Sequence, residues 1–116
     1  MPKPRLLLVD DEPALADLLR RYLERLGYEV DACMDGQSAL SLADPPDKYG
    51  VVVADLTLPD MNGADLVAKL RESNPSLAVL ITSGYPYDSA ESGVEFLQKP
   101  FLPKLLVEAI ERSLAR

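Results

Sequence analysis

The chain has 116 residues, of which 47% are hydrophobic, 19 are acidic and 12 are basic, and its net charge is −7. A chain of this length can bury a core without a metal or disulfide staple, so we expect a single domain over residues 1–116. No cluster of Lys and Arg is available to neutralise a row of phosphates, which argues against direct nucleic-acid binding. The absence of histidine excludes Ser-His-Asp and Cys-His catalysis, and also a phosphohistidine.

Cysteine content and hydropathy predict the compartment. The single cysteine, Cys33, cannot form an intrachain disulfide, which favours a reducing environment. The first apolar run, Leu6 to Val9, is shorter than the roughly 7–15 apolar residues of a signal peptide, and no longer apolar span follows. We therefore expect a soluble, cytoplasmic protein that does not insert into a membrane.

The first half of the chain alternates short apolar runs with helical patterns. Leu6 to Val9 is wholly apolar and ends in acids, as expected for a strand buried on both faces. Pro13 suits the first turn of the helix that follows, and Gly27 ends it. The next strand alternates polar and apolar residues, so we place it at a sheet edge. The predicted elements of this half are a strand over 6–9, a helix over 13–26, a strand over 28–34 and a short helix over 37–43.

The second half repeats the alternation. Val51 to Ala54 is again wholly apolar, and it ends in the carboxylate of Asp55. The predicted elements of this half are strands over 51–55, 77–81 and 94–97 and helices over 63–73 and 103–115. The segment 85–93 has room for at most one or two helical turns. Five alternations predict an α/β fold, a doubly wound five-stranded parallel sheet between helices.

Chemistry-bearing side chains follow four of these strands. Asp10 and Asp11 follow the first strand, Asp55 ends the third, Ser83 follows the fourth and Lys99 follows the fifth. The carboxyl ends of parallel strands share one edge of a sheet, and ligands bind in the crevice beyond that edge. The sequence therefore predicts one site that contains all five residues.

The three acids at this edge require a positive partner. Two carboxylates about 4 Å apart repel by about 1 kcal/mol in water and by about 4 kcal/mol at an intermediate dielectric. An all-oxygen, partly hydrated site favours Mg²⁺, and no histidine is available as a zinc ligand. With the ion bound, Asp55 is a candidate nucleophile toward a phosphoryl group, with Lys99 and the Ser83 hydroxyl as partners for its oxygens. A cis Lys99–Pro100 bond would help to set the direction of the lysine.

Four motifs, each at a strand end and in order along the whole chain, resemble the receiver domain of two-component response regulators. They are LLLVDDEP for the acidic pair, VVVADLTLPDMNG for the phosphoacceptor strand and loop, ITSG for the hydroxyl and FLQKPF for the lysine-proline signature. The resemblance implies the flavodoxin-like strand order 2-1-3-4-5, an order for which one member of this family is a standard example.

The resemblance also implies a role for each residue. Asp55 would accept phosphate from a histidine kinase or a histidine phosphotransfer protein. Asp11 would bind Mg²⁺ directly, Asp10 would act largely through water, and the backbone carbonyl of Thr57 would be a further ligand. Ser83 and Phe96 would be the switch residues that rearrange on activation. Such a domain catalyses only its own phosphorylation and self-dephosphorylation, so it is not an enzyme on an outside substrate.

One departure from the family pattern concerns the switch region. Only 16 positions separate Ser83 from Lys99, fewer than is usual in the family, so the helix between the fourth and fifth strands is expected to be shortened or missing. This leaves the output partner and the oligomeric state open. The ITSGY segment and the end of the chain at Arg116 favour a hybrid-kinase receiver or a single-domain regulator over a DNA-binding regulator.

Simpler interpretations stand beside these roles. The acids after the first strand could cap a helix, Ser83 could only form a turn, and Phe96 is as compatible with a core position as with a switch. Tyr85 could shield a phosphoryl group or cover its loop. Two other functions fit parts of the pattern: a pseudo-receiver that binds partners without phosphate, and, less well, an aspartate phosphatase of the haloacid dehalogenase type.

Overall fold

The computed structural model describes residues 3–86 and 94–115, and it is built from alternating strands and helices. Their bounds are β1 Arg5–Val9, α1 Pro13–Arg25, β2 Glu29–Cys33, α2 Gly36–Leu42, β3 Val51–Asp55, α3 Gly63–Ser73, β4 Ala78–Ser83, β5 Glu95–Gln98 and α4 Pro103–Ala115. The strands form one parallel sheet in the order β2-β1-β3-β4-β5. The predicted fold class and strand order are confirmed, and so is the edge position of the second strand.

Helices cover both faces of the sheet, which explains the wholly apolar central strands. One face of the sheet packs against α1 and α4 through Leu6, Leu8, Val51 and Val53. The intervening residues of these strands form the other face, which packs against α2 and α3. Every residue of β3 is buried. Burial on two faces is the reason that these strands show continuous rather than alternating hydrophobicity.

The ends of α1 and α2 follow the local sequence. Pro13 lies in the first turn of α1. Gly27 follows the C-cap residue Leu26 and has φ of 97°, a conformation that glycine adopts without steric cost. Asp35 caps α2 by accepting a hydrogen bond from the Ser38 amide at 2.7 Å. The predicted shortening of the helix between β4 and β5 falls on residues 87–93, which lie outside the described part of the chain.

Among the described residues, two proline peptide bonds are cis, Asp44–Pro45 and Lys99–Pro100. The sequence suggested a cis Lys99–Pro100 bond, whereas a cis Asp44–Pro45 bond was not predicted. Within residues 3–86 and 94–115, no helix is both long enough and apolar enough to cross a membrane.

Tyr49 links the loop before β3 to the edge of the sheet. Its ring is buried, and its hydroxyl donates to Asp31 Oδ2 at 2.6 Å, an oxygen that Arg5 Nε also approaches at 3.4 Å. We expect Tyr49→Phe to lower the free energy of unfolding by about 1–2 kcal/mol, because a hydrogen bond to a charged acceptor is lost. Urea unfolding followed by circular dichroism measures this loss.

Tyr22→Phe is the matched control, because the Tyr22 hydroxyl has no hydrogen-bond partner among the described residues. This variant should unfold at nearly the wild-type urea concentration. Equal stability of the two variants would show that the Tyr49 hydroxyl contributes nothing.

Candidate functional site

The predicted site residues meet at the carboxyl edge of the sheet. Asp10 follows β1, Asp55 ends β3 and Ser83 ends β4, while Lys99 comes directly after β5. The backbone of this edge is held by strand-like hydrogen bonds, since the Lys99 amide donates to the Ser83 carbonyl at 2.7 Å and the Leu56 amide donates to the Thr82 carbonyl at 2.8 Å. The sheet itself therefore positions the site.

The Lys99 ammonium lies among the carboxylates. Its Nζ is 2.9 Å from Asp10 Oδ2 and 3.1 Å from Asp55 Oδ2, and it is 3.3 Å from Glu12 Oε1. The side chains of Lys99, Asp10 and Asp55 are 14%, 3% and 9% exposed, whereas that of Glu12 is 60% exposed. The two inner contacts are thus shielded from water, and the contact with Glu12 is screened.

The pKa values of Lys99 and Asp55 reflect this competition between burial and charge. Burial disfavours the charged ammonium and by itself would lower the pKa of Lys99. The hydrogen bonds and charges of Asp10 and Asp55 outweigh burial and raise this pKa above its usual value. Burial is also the largest influence on Asp55, and it raises the pKa of that carboxyl although Lys99 and the Thr57 amide act in the opposite direction. The Asp55 carboxylate is therefore poorly solvated and has only partial compensation for its charge.

The acidic cluster offers ligands for a hard cation. Asp10, Asp11 and Asp55 each contribute a carboxylate oxygen, and these oxygens lie within 4.8 Å of one another. Asp11 is exposed and the other two are buried, so the cluster is open to water on one side. Oxygen ligands with room for water fit Mg²⁺, which keeps part of its hydration shell in proteins.

The loop after Asp55 is fixed to the strand that carries it. The Thr57 amide donates to Asp55 Oδ1 at 3.3 Å, and Thr57 pairs with Asn62 across the loop. The Gly63 amide donates to the Leu56 carbonyl at 2.7 Å, and Asn62 caps α3 through the Ala64 amide. Thr57 is thereby held beside the carboxylates, and its carbonyl is the backbone ligand that the family resemblance implies.

Ser83 and Phe96 lie on the same face of the sheet. Ile81 pairs with Phe96 and Ser83 pairs with Gln98, so alternation puts both predicted switch residues on the side that packs against α2 and α3. Ser83 is buried and Phe96 is half-buried in that core layer. The Ser83 Oγ accepts a hydrogen bond from the Tyr85 amide at 3.0 Å, which is the turn contact that the simpler interpretation of Ser83 expects.

A cleft of about 670 Å³ opens beside the carboxylates. Asp11, Asp55 and Lys99 line its polar side, and Leu15 and Phe101 line an apolar side. Tyr85 also borders the cleft, and its side chain is largely exposed. The site can therefore admit a group larger than a metal ion with its waters.

Three features of the site were not predicted. Asp10 binds Lys99 directly, and its other oxygen accepts from the Glu12 amide at 2.8 Å, so it closes the turn before α1 and does not cap a helical amide. Glu12 is the N-cap residue of α1 and makes no side-chain cap, but it reaches Lys99. Asp60 bonds to α2. In the sequence, only the closeness of Glu12 to Asp10, two residues away, could have indicated the contact between Glu12 and Lys99.

Comparisons with known proteins agree with this geometry. The family model described as the response regulator receiver domain matches residues 6–111. The transcriptional regulatory protein SrrA of Staphylococcus aureus is 34% identical over 96% of this chain, and the chain spans about half, 48%, of its length.

Solved structures resemble the chain over nearly its whole length. The receiver domain of the hybrid histidine kinase CckA has a TM-score of 0.84 at 34% identity, covering 95% of this chain and 98% of that one. The non-phosphorylated receiver domain of HemR from Leptospira biflexa has a TM-score of 0.88 at 32% identity, covering 98% and 96%. The chain is therefore a member of the response regulator receiver domain family.

Proposed function

We propose that this receiver domain accepts a phosphoryl group on Asp55 in a Mg²⁺-dependent step, from a histidine kinase or a histidine phosphotransfer protein. The observation that carries the proposal is the environment of the Asp55 carboxylate. One oxygen is 3.1 Å from the Lys99 ammonium, the other is 3.3 Å from the Thr57 amide, and oxygens of Asp10 and Asp11 lie within 4.8 Å. The buried carboxylate is thus surrounded by groups whose chemistry suits a metal ion and a phosphoryl group, which supports the proposal.

The proposed transfer needs no cofactor other than Mg²⁺. An Asp55 carboxylate oxygen attacks the phosphorus of the donor, an O–P bond forms, and the P–N bond to the donor imidazole breaks. The electron pair leaves with the imidazole, which takes a proton from water, and Asp55 becomes an acyl phosphate. Asp10, Asp11, Asp55 and the Thr57 carbonyl would hold Mg²⁺, which neutralises charge on the phosphoryl oxygens when it is bound.

Lys99 and Ser83 would bind the product. Lys99 directs its N–H groups at Asp10 and Asp55, so one of them can turn to a phosphoryl oxygen on Asp55 with little movement. The Ser83 Oγ accepts the Tyr85 amide but donates to no acceptor among the described residues, so its proton suits a second phosphoryl oxygen. Since Ser83 and Phe96 share one face of the sheet, movement of the hydroxyl would be transmitted to Phe96 and to the surface beyond β5.

In this proposal the chain acts only on itself, by taking up phosphate and slowly releasing it. A cytoplasmic location stays a prediction. Binding of partners without phosphate is the competing function, and it requires none of the contacts around Asp55.

A small phosphodonor tests the proposal without knowledge of the kinase. With acetyl phosphate and Mg²⁺, intact-mass spectrometry should show one added phosphoryl group, and Asp55→Asn or removal of the metal with a chelator should abolish it. Beryllofluoride supplies an independent test, since the receiver domain of DrrB, with a TM-score of 0.83 at 26% identity, has been solved in a BeF₃-activated form. A wild-type chain that stays unmodified and binds no beryllofluoride would favour the phosphate-independent function.

A further inference from the structure

The loop that follows Asp55 is attached to a helix on which no predicted site residue lies. Both oxygens of the Asp60 carboxylate accept backbone amides at the start of α2, from Gly36 at 2.8 Å and from Gln37 at 2.9 Å. These two bonds lower the pKa of Asp60, so the carboxylate is charged at neutral pH. They span 24 and 23 positions of the sequence and connect two separate segments of the fold.

Packing reinforces this attachment. A Cβ added to Gly36 would overlap the side chain of Met61, which is the next residue after Asp60. The start of α2 and the middle of the loop are therefore in close contact. The ends of the loop are fixed separately, through the bond between Gly63 and Leu56 and through the pairing of Thr57 with Asn62.

From this geometry we infer that Asp60 is a positioning residue for the metal site: its bidentate bond to α2 fixes the part of the loop that sets the direction of the Thr57 carbonyl. The inference rests on the proposed function, because it assigns Asp60 a task in building the Mg²⁺ site. Mg²⁺ accepts little deviation from octahedral geometry. Without the Asp60 bonds, only the contacts of Thr57 with Asp55 and Asn62 would set the direction of the Thr57 carbonyl. The carbonyl would then be held less firmly, and the ion would bind less well.

The test compares two acids that both stabilise the start of α2. Asp60→Ala removes the two hydrogen bonds that join the loop to α2. Asp35→Ala removes only the N-cap hydrogen bond from the Ser38 amide, and the bonds between the loop and α2 stay in place. We expect Asp60→Ala to weaken Mg²⁺ binding roughly 10-fold, the lower end of the effect of residues that support metal ligands. Asp35→Ala should stay within about twofold of wild type. Isothermal titration calorimetry with MgCl₂ gives both constants, and urea unfolding shows whether the two variants lose similar stability.

Three further measurements separate positioning from general destabilisation. Asp60→Asn keeps one acceptor oxygen and should give an intermediate Mg²⁺ affinity; it also serves if the alanine variant does not fold. Hydrogen exchange of the Gly63 amide in the metal-free protein should accelerate in Asp60→Ala and not in Asp35→Ala. The phosphorylation rate of Asp60→Ala with acetyl phosphate should recover at saturating Mg²⁺.

The inference is overturned if Asp60→Ala binds Mg²⁺ like wild type, or if Asp35→Ala weakens binding as much, since helix stability would then be the cause. Failure of the proposed function has a different signature. A wild-type chain that binds Mg²⁺ but takes up no phosphoryl group would refute phosphorylation, and the comparison of the two Asp variants would still decide the role of Asp60.

Discussion

Lys99→Met should lower the free energy of unfolding by about 3 kcal/mol at neutral pH, because it leaves two buried carboxylates without their cation. Asp10 and Asp55 both bind the Lys99 ammonium, and both are largely shielded from water. Mg²⁺ should then stabilise this variant more than it stabilises wild type, since the ion replaces the lost positive charge. Urea unfolding with and without millimolar Mg²⁺ measures both effects.

Lys104→Met on α4 is the control for the change in net charge, because Lys104 is exposed and makes no ion pair with the described residues. It should leave stability nearly unchanged. Adding Asp10→Asn to Lys99→Met should restore much of the loss by removing one of the repelling charges. A Lys99→Met variant as stable as Lys104→Met would mean that Lys99 does not neutralise the cluster.

Gly63→Ala should damage both stability and metal binding. A Cβ at this position would overlap the Asp55 carbonyl oxygen and approach the backbone of Leu56 within 2.9 Å. Since these atoms belong to the phosphoacceptor strand and loop, the backbone itself must move. We expect a loss of about 2–3 kcal/mol in the free energy of unfolding, at the upper end of overpacking effects, and slower phosphoryl uptake.

Gly84→Ala provides a matched control at the same edge of the sheet. Within the described part of the chain, no atom lies within 4 Å of a Cβ added at Gly84, so this variant should unfold like wild type. Urea unfolding and the initial rate of phosphorylation by acetyl phosphate compare the two substitutions. Equal behaviour would show that the close approach of Gly63 to Asp55 has no consequence.

Sequence patterns predicted the fold because each element has a local signature. The apolar strands, Pro13 and Gly27 mark their own elements, and the bounds of α3 and α4 agree with prediction. The fourth strand was predicted to end at Ile81, but it continues through Thr82 and Ser83. These two polar residues lack a strand pattern, and their pairing with Leu97 and Gln98 decides the boundary.

The site was predictable as far as it depends on strand ends. Asp10, Asp55 and Lys99 meet because the parallel sheet brings the ends of β1, β3 and β5 to one edge. The contacts of Glu12 and Asp60 depend on how a turn and a loop approach other elements. Asp60 and Gly36 are 24 positions apart, and no periodicity connects them, so only the folded structure shows that the site loop is attached to α2.

The most direct test of the account is to locate the phosphoryl group. After acetyl phosphate and Mg²⁺ treatment, borohydride reduction converts an aspartyl phosphate to homoserine, and digestion after lysine releases the peptide 49–69 that contains Asp55, Asp60 and Asp65. Fragmentation of this peptide by mass spectrometry should place homoserine at position 55. Homoserine at Asp60, Asp65 or the acids after β1, or its absence from a chain that binds Mg²⁺, would contradict the assignment of Asp55 as the phosphoacceptor.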